Sequence, residues 1–586
     1  MAIRKILHNF LPLKPYFSEN RGALILGLAS LVAVDFLQLL IPLVIKKAID
    51  TLTAGTASTR LLLHFGGMIA VIALLMAFLR YLWRYLLIGL SRKIEEGLRN
   101  TLFSHLLTLS QSFYQRTKTG DVMARAINDI NAVRMATGMG LVALTDGLVL
   151  GMAAIGFMLH ISPLLTLISL IPAPVIILVT RGLTRRMSTG FERVQKTFGD
   201  LTEGVREAFS GIRVIKAYSR EKWQYRKIRE TGDRYVSENM KLARTYALFF
   251  PMMMIFTNLG LAIVIGLGGG LTILGRISTG DFVAFISYLN LLTWPMMALG
   301  WVANLLQRGS ASMRRINGIL NEEPEIRDIG AIRKSGAIKG QIEFRGLSFR
   351  YPGQKEDALR EIHLMIPAGR TIAMVGRVGS GKTTLFHLLA RLYDVPPGTL
   401  FLDGKDIRDI PLKVLRGSIG FATQEAFVFS DTVRNNVLFG RKGVSDRELE
   451  SALRTAQVLE EFQALEQGLD TLLGERGITL SGGQKQRLTI ARAVLGDPPI
   501  LILDDALSMV DTRTEERILS EILGKRKGKT TLLVSHRLST IGRADRIVVF
   551  HQGRIIEEGD HETLLRRGEE YARLYERQQL ARELEE

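Results

Sequence analysis

The chain of 586 residues has no cysteine, so neither disulfides nor thiolate metal sites hold it together, and its redox compartment is unconstrained. It also lacks an aromatic-interleaved basic patch or any nucleic-acid reading motif, so its formal charge of +19 does not mark a nucleic-acid partner. The N-terminus lacks the continuous apolar core and small-residue cleavage site of a signal peptide. Residues 1–20 read instead as an amphipathic helix at a membrane interface. No internal repeat is present.

What the chain does have is apolar surface. Hydrophobic residues make up 47% of it and the mean hydropathy is +0.17. These residues concentrate in the first 310 positions, which predicts a membrane half followed by a soluble half. A span needs roughly 20 apolar residues. Six candidates fall near 22–45, 62–88, 136–159, 162–181, 246–273 and 281–305. Seven Lys/Arg lie between Gly89 and Arg134 and sixteen between Arg181 and Thr245, whereas the short connections near 52–60, 160–163 and 274–280 carry one, none and one. Basic residues on alternate sides of the spans put both large loops, and both termini, in the cytoplasm.

Those loops are about 47 and 64 residues long and poor in helix breakers, so they read as long helical hairpins projecting from the membrane. Their tips are expected at 117–128 and 210–218. Inside the spans, Arg80 and Arg84 suit snorkelling at the cytoplasmic end, and Asp35, Asp146 and Asn290 are candidates for lining a cargo cavity.

After Leu306 the chain becomes charged. Residues 21–320 form the expected membrane domain, 321–340 a linker, 341–570 an α/β domain of alternating strands and helices, and 571–586 a charged helical tail. The apolar strand at 371–375 enters GRVGSGKT at 376–383, followed by a helical stretch. This is the phosphate-binding loop in its strand-loop-helix context. Gly376, Gly379 and Gly381 let backbone N–H groups converge on phosphate oxygens at a helix N-terminus, with Ser380 and Thr384 beside them. Lys382 is placed to reach the β- and γ-phosphates and Thr383 to ligate magnesium. Downstream, the buried strand at 500–503 delivers Asp504, a second magnesium ligand.

Between these motifs stands LSGGQ, formed by Leu480, Ser481, Gly482, Gly483 and Gln484. With this pentapeptide the chain resembles the ATP-binding cassette (ABC) proteins. The resemblance implies roles for further residues. Tyr351 stacks on adenine, Gln424 touches magnesium and the attacking water, and His536 contacts the γ-phosphate. Asp511 lies at the dimer interface, and Glu475 faces a loop of the membrane domain. The layout is that of exporter-type half-transporters. It implies an all-α polytopic membrane domain of six transmembrane helices with long cytoplasmic extensions, followed by an α/β P-loop ATPase domain of ABC type. ATP and Mg2+ are the implied cofactors, with ATP held between one chain's lysine loop and the other's signature.

One residue departs from the family pattern: Asp505 stands where an active cassette carries glutamate. A general base works within about 2.6–3.2 Å of its proton. An error of about an ångström costs on the order of a hundredfold. The resemblance therefore narrows to the degenerate-site subunit of a heterodimeric multidrug exporter, in the inner (plasma) membrane, with hydrophobic or amphipathic cargo. A homodimeric exporter, a lipid flippase and a nucleotide-gated non-transporting membrane protein are the alternatives.

Overall fold

The computed structural model describes residues 6, 8–328, 337–474, 477, 479–535, 537 and 541–585, less a few side chains within helices and the C-terminal tail. Two compact units result. The first comprises Met1–Leu107 and Thr119–Glu322, the second Thr108–Lys118 and Glu323–Glu586.

The first unit is helical. Among the described residues four helices are long and apolar enough to cross a membrane: Arg21–Thr53, Thr59–Thr108, Thr119–Ile161 and Thr279–Leu320. A shorter apolar helix covers Asn258–Ile273. The expected count of six is not reached. The apolar stretch at 162–181 is split into Pro163–Ser169 and Pro172–Ser210, each with a proline in its first turn, where the missing N–H costs nothing. The stretch at 246–273 includes side chains outside the described set.

The 50-residue helix Thr59–Thr108 is about 75 Å long at 1.5 Å per residue, against about 30 Å of hydrocarbon. Its remaining length forms one arm of the first hairpin. The turn is a short helix, Gln111–Arg116, and the return arm starts at Thr119. The tip therefore lies before the expected 117–128: the Thr-Gly pair at 119–120 opens a new helix instead of a loop, and Arg125 pairs with Asp121 one turn on at 2.5 Å. The second hairpin pairs Pro172–Ser210 with Glu221–Ile263, and its tip is the short helix Ile212–Ala217, inside the expected 210–218.

The helix Thr279–Leu320 organises the unit. Ser278 and Asp281 form a capping box at its start, where Lys46 pairs with Asp281 at 2.5 Å. Phe285, Tyr288 and Leu292 pack with Leu39, Leu150 and Ala154 in an apolar core, and the Tyr288 hydroxyl donates to the Leu39 carbonyl at 2.9 Å. Further along, Arg315 Nε and Ser312 Oγ both donate to the buried Asp129 carboxylate, at 2.8 and 2.9 Å. Asp129 closes one of several five-residue π turns. Another spans Arg84–Ile88.

The second unit is α/β. One sheet runs β10-β9-β3-β8-β7-β6, with β3 (Thr371–Gly376), β6 (Ile419–Ala422), β7 (Ile500–Asp504), β8 (Thr530–Val534) and β9 (Arg546–His551) parallel, and β10 (Arg554–Gly559) antiparallel at the edge. A second, antiparallel sheet runs β2-β1-β4-β5 over Leu359–Ile366, Ile342–Phe349, Leu400–Leu402 and Lys405–Asp406. Strands β7 and β8 are buried at every position, which explains their aliphatic runs Ile500–Leu503 and Leu532–Val534. The unit also contains the first hairpin's tip. Ser110 Oγ accepts from the Glu325 amide at 3.1 Å, and Ser112 Oγ donates to the Glu325 carboxylate at 2.6 Å.

Candidate functional site

The parallel sheet brings the phosphate-site residues to one edge, at the carboxyl ends of β3, β6 and β7. Strand β3 ends in Gly376, whose φ of +149° and position allow no side chain: a Cβ there would lie 2.3 Å from the Phe550 carbonyl oxygen. Gly381, at φ +104°, is equally constrained, 2.8 Å from the Ala358 oxygen. These close approaches shape the loop so that its amides precede the helix Lys382–Leu389. Gly379 sits at φ +80° in open space, and Ser380 is buried. Lys382 is buried too, its ammonium donating to the carbonyls of Gly376 at 2.7 Å and Arg377 at 2.9 Å.

Thr383 Oγ1 donates to Asp504 Oδ1 at 3.1 Å, so the two expected magnesium ligands are neighbours. Asp504 is 2% exposed. Burial pushes its carboxyl above the usual range, opposed by the Thr383 hydroxyl and reinforced by the charge of Asp505. Burial also lowers the Lys382 ammonium, against the pull of Asp504 and Asp505. A site that penalises a lone carboxylate in this way is one where a divalent cation fits. Its donors are a hydroxyl, a carboxylate and, two residues beyond β6, the exposed amide of Gln424, an all-oxygen set of the kind magnesium takes.

Tyr351 is half-buried, with its hydroxyl donating to Thr384 Oγ1 at 3.0 Å and its ring edge-on to Tyr393 at 5.1 Å. Asp505 stands in the left-handed region, at φ +48°, and its amide donates to the Val534 carbonyl at 3.1 Å. Aspartate is among the few residues that enter this region readily. Glu475 and His536 lie outside the described residues.

The signature begins the helix Gly482–Val494. Ser481 is its N-cap: its Oγ accepts from the Gln484 amide at 3.2 Å, and Gln484 Oε1 accepts from the Ser481 amide at 2.9 Å. Leu480 is buried beneath it. Gly482 and Gly483 admit the loop that follows Asp505. A Cβ on either would meet Met509, at 2.8 Å from Sδ and 3.0 Å from the carbonyl oxygen respectively. Sequence reasoning missed Gln486. Buried one turn into the helix, it donates to Ser508 Oγ at 2.9 Å and accepts from the Met509 amide at 2.8 Å, clamping that loop to the signature. Asp511 ends the loop as the N-cap of Thr512–Lys525, accepting from the Thr514 amide at 3.0 Å.

In the first unit, Asp35 is 1% exposed and its Oδ2 has no hydrogen-bond partner. Its carboxyl is within hydrogen-bonding reach of Asp146, which accepts from the Trp294 indole N–H at 2.9 Å. Arg80 donates to Gln38 at 3.3 Å beside them. Asn290 is exposed one turn before Trp294 and is not hydrogen-bonded to the pair.

Two family models match: "ABC transporter transmembrane region" over residues 24–296 and "ABC transporter" over 359–508. The chain is 38% identical over 573 residues to the probable multidrug resistance ABC transporter ATP-binding/permease protein YheI of Bacillus subtilis, covering 97% of this chain and 96% of that one. The chain is an ABC exporter half-transporter. Other members of this family resemble it over similar lengths. The multidrug resistance-like ATP-binding protein MdlA of Escherichia coli is 36% identical, with 98% of each chain covered. An ATP-dependent lipid A-core flippase of Nitrosococcus oceani is 37% identical over 499 residues, 84% of this chain and 83% of that one. Among solved structures, a bacterial Atm1-family ABC exporter with ATP bound superposes with a TM-score of 0.77 at 27% identity, covering 97% of this chain and 98% of that one. As an ABC exporter half, the chain is a membrane protein with an ATP-hydrolysing domain.

Proposed function

We propose that the chain exports hydrophobic or amphipathic compounds by ATP-driven alternating access, as one half of a heterodimer in which its own lysine loop forms a slow, ATP-holding site. Six spans, cytoplasmic termini and an inner-membrane location complete this reading. The observation that carries it is the complete phosphate machinery of Lys382, Thr383 and Asp504 beside a base position filled by Asp505, in a chain matched end to end by multidrug-type relatives. Lys382 would steady the β- and γ-phosphates, while Thr383, Asp504 and Gln424 would hold magnesium, which when bound would neutralise charge developing on the phosphate oxygens. Gln424 and His536 orient the attacking water, and Asp505, one methylene short, takes its proton inefficiently. The signature around Ser481 serves the partner's ATP. Adenine stacks on Tyr351.

ATP closure is passed to the membrane domain through the two hairpin tips, so nucleotide acts by its different affinity for the two states. The buried Asp35, the Asp146 carboxyl and the half-exposed Trp294 ring form a site for the cationic, aromatic end of an amphiphile. Lipid flipping is the second reading, favoured by the 37% identity to a lipid A-core flippase.

ATPase measurements on the chain alone and with its partner test the pairing. Asp505→Glu is expected to raise hydrolysis at this site by up to about a hundredfold. Robust turnover by the chain alone that is insensitive to Asp505→Asn would sink the heterodimer. In vesicles, ATP-dependent accumulation of a lipophilic cation, reduced by Asp35→Asn while a neutral substrate is unaffected, supports the cargo site. Accumulation of neither leaves a lipid flippase or a non-transporting protein.

A further inference from the structure

A cleft of about 410 Å³ opens where the start of the helix Arg21–Thr53 meets the π turn Arg84–Ile88 and the residues after it. Its chemistry is divided. The walls are apolar, from Ala23, Leu86 and Leu90, whereas the polar lining carries three cations, Arg84, Arg92 and Lys93, and no carboxylate. Arg92 is paired with Glu95 at 3.0 Å. The other two have no acidic partner among the described residues: Lys93 donates to Asn20 Oδ1 at 3.1 Å, and Arg84 lies over the Trp83 ring at 5.5 Å.

The depth of the cleft is marked by its neighbours. Tyr81 and Tyr85 stack at 6.2 Å on the outer face, both about two-thirds exposed, as aromatic residues do at a membrane–water boundary. Toward the N-terminus of the helix the residues 61–79 are apolar apart from His64, and toward its C-terminus it is charged from Arg92 onward. The π turn inserts an extra residue into the helix at this level, and such turns are frequent at functional sites. An uncompensated pair of cations flanking an apolar wall, beside a stacked pair of boundary tyrosines, matches one kind of occupant.

We propose that this cleft binds one anionic phospholipid of the cytoplasmic leaflet. Its phosphate lies between Arg84 and Lys93, and its acyl chains run along Leu86 and Ile88. The inference rests on the cytoplasmic orientation of the basic loops and not on transport or its direction. Because Lys93 also holds Asn20, the lipid joins the N-terminal interface segment to the second span.

The test uses the full chain in phosphatidylcholine nanodiscs into which phosphatidylglycerol is titrated, with lipids retained after extraction counted by native mass spectrometry. One phosphatidylglycerol is expected to stay with each chain in preference to phosphatidylcholine. Arg84→Gln and Lys93→Gln should each lower that preference about fivefold, while Lys227→Gln and Lys241→Gln, remote from the cleft, leave it unchanged. ATP binding reports that each variant is folded. Equal retention of the two lipids, equal loss in the remote variants, or displacement of the lipid by inorganic phosphate would each overturn the site. None of these readouts depends on hydrolysis or cargo, so the proposal and the exporter reading fail separately.

Discussion

The two hairpin tips are built alike and end differently. Gln111–Arg116 and Ile212–Ala217 are both six-residue helices at the ends of long arms. The first is folded into the α/β unit: Ser112 and Phe113 are buried, and Ser110 and Ser112 are hydrogen-bonded to Glu325. The second has no buried residue, and its apolar side chains face outward, Ile212 at 42% exposure and Val214 at 62%, with Tyr218 beyond them at 74%. An apolar patch of this kind marks a surface awaiting a partner. The first tip is held within the α/β unit of its own chain, and the second, in the pairing proposed above, is left for the partner.

The contrast predicts unequal consequences. Val214→Asp should have the largest effect: it places a charge in the surface proposed to meet the partner, and loss of an anchor of this kind costs about 2 kcal/mol or more. Vesicle transport is expected to fall about thirtyfold while ATP binding by the isolated chain is unchanged. Unimpaired transport would place the second tip outside the coupling path. Gln486→Leu removes two hydrogen bonds that hold the loop after Asp505, a loss of about 1–2 kcal/mol. It should lower the cassette's melting temperature and, in the dimer, slow turnover at the partner's site more than at its own. Ser112→Ala loses the bond to the exposed Glu325 and costs about 1 kcal/mol, seen in chain stability and not in partner binding.

An effect of similar size concerns Asp511, whose carboxyl is held below the usual range first by the Thr514 amide. A depressed carboxylate stabilises above its unfolded value, about pH 4, and that contribution disappears as pH falls through the folded value. Asp511→Ala should therefore lower the melting temperature at neutral pH, by the equivalent of about 1 kcal/mol for a lost cap, and the gap should narrow under acid. A gap that widens as pH falls would contradict the cap.

The grouping of the candidate phosphate-site residues was legible in the sequence because phosphate binding demands residue types at fixed spacing. Gly376 and Gly381 tolerate no side chain, and Thr383 and Asp504 meet only if a strand ends at each motif. Long-range packing left weaker marks. The position of the first tip depended on Ser110 and Ser112 finding Glu325, over two hundred residues away, so the nearby glycine misdirected the reading to 117–128. The break at 170–171 came from prolines whose place at a helix start is as regular as a kink within one. Gln486 carried no local signal, since a buried glutamine in a helix is recognised only by what it grips. The π turns likewise leave no periodic trace in a window of apolar residues.

The contact of Gly482 and Gly483 with Met509 has a consequence for timing. The segment that begins at Asp505 and the segment that starts the signature lean on each other closely, Gly483 against the Met509 carbonyl and Gly482 against the Met509 side chain. In the head-to-tail pairing proposed here, Asp505 reports on this chain's nucleotide and Ser481 reports on the neighbour's. In that pairing a displacement at one site would reach the other through this contact, and the two would keep a single clock.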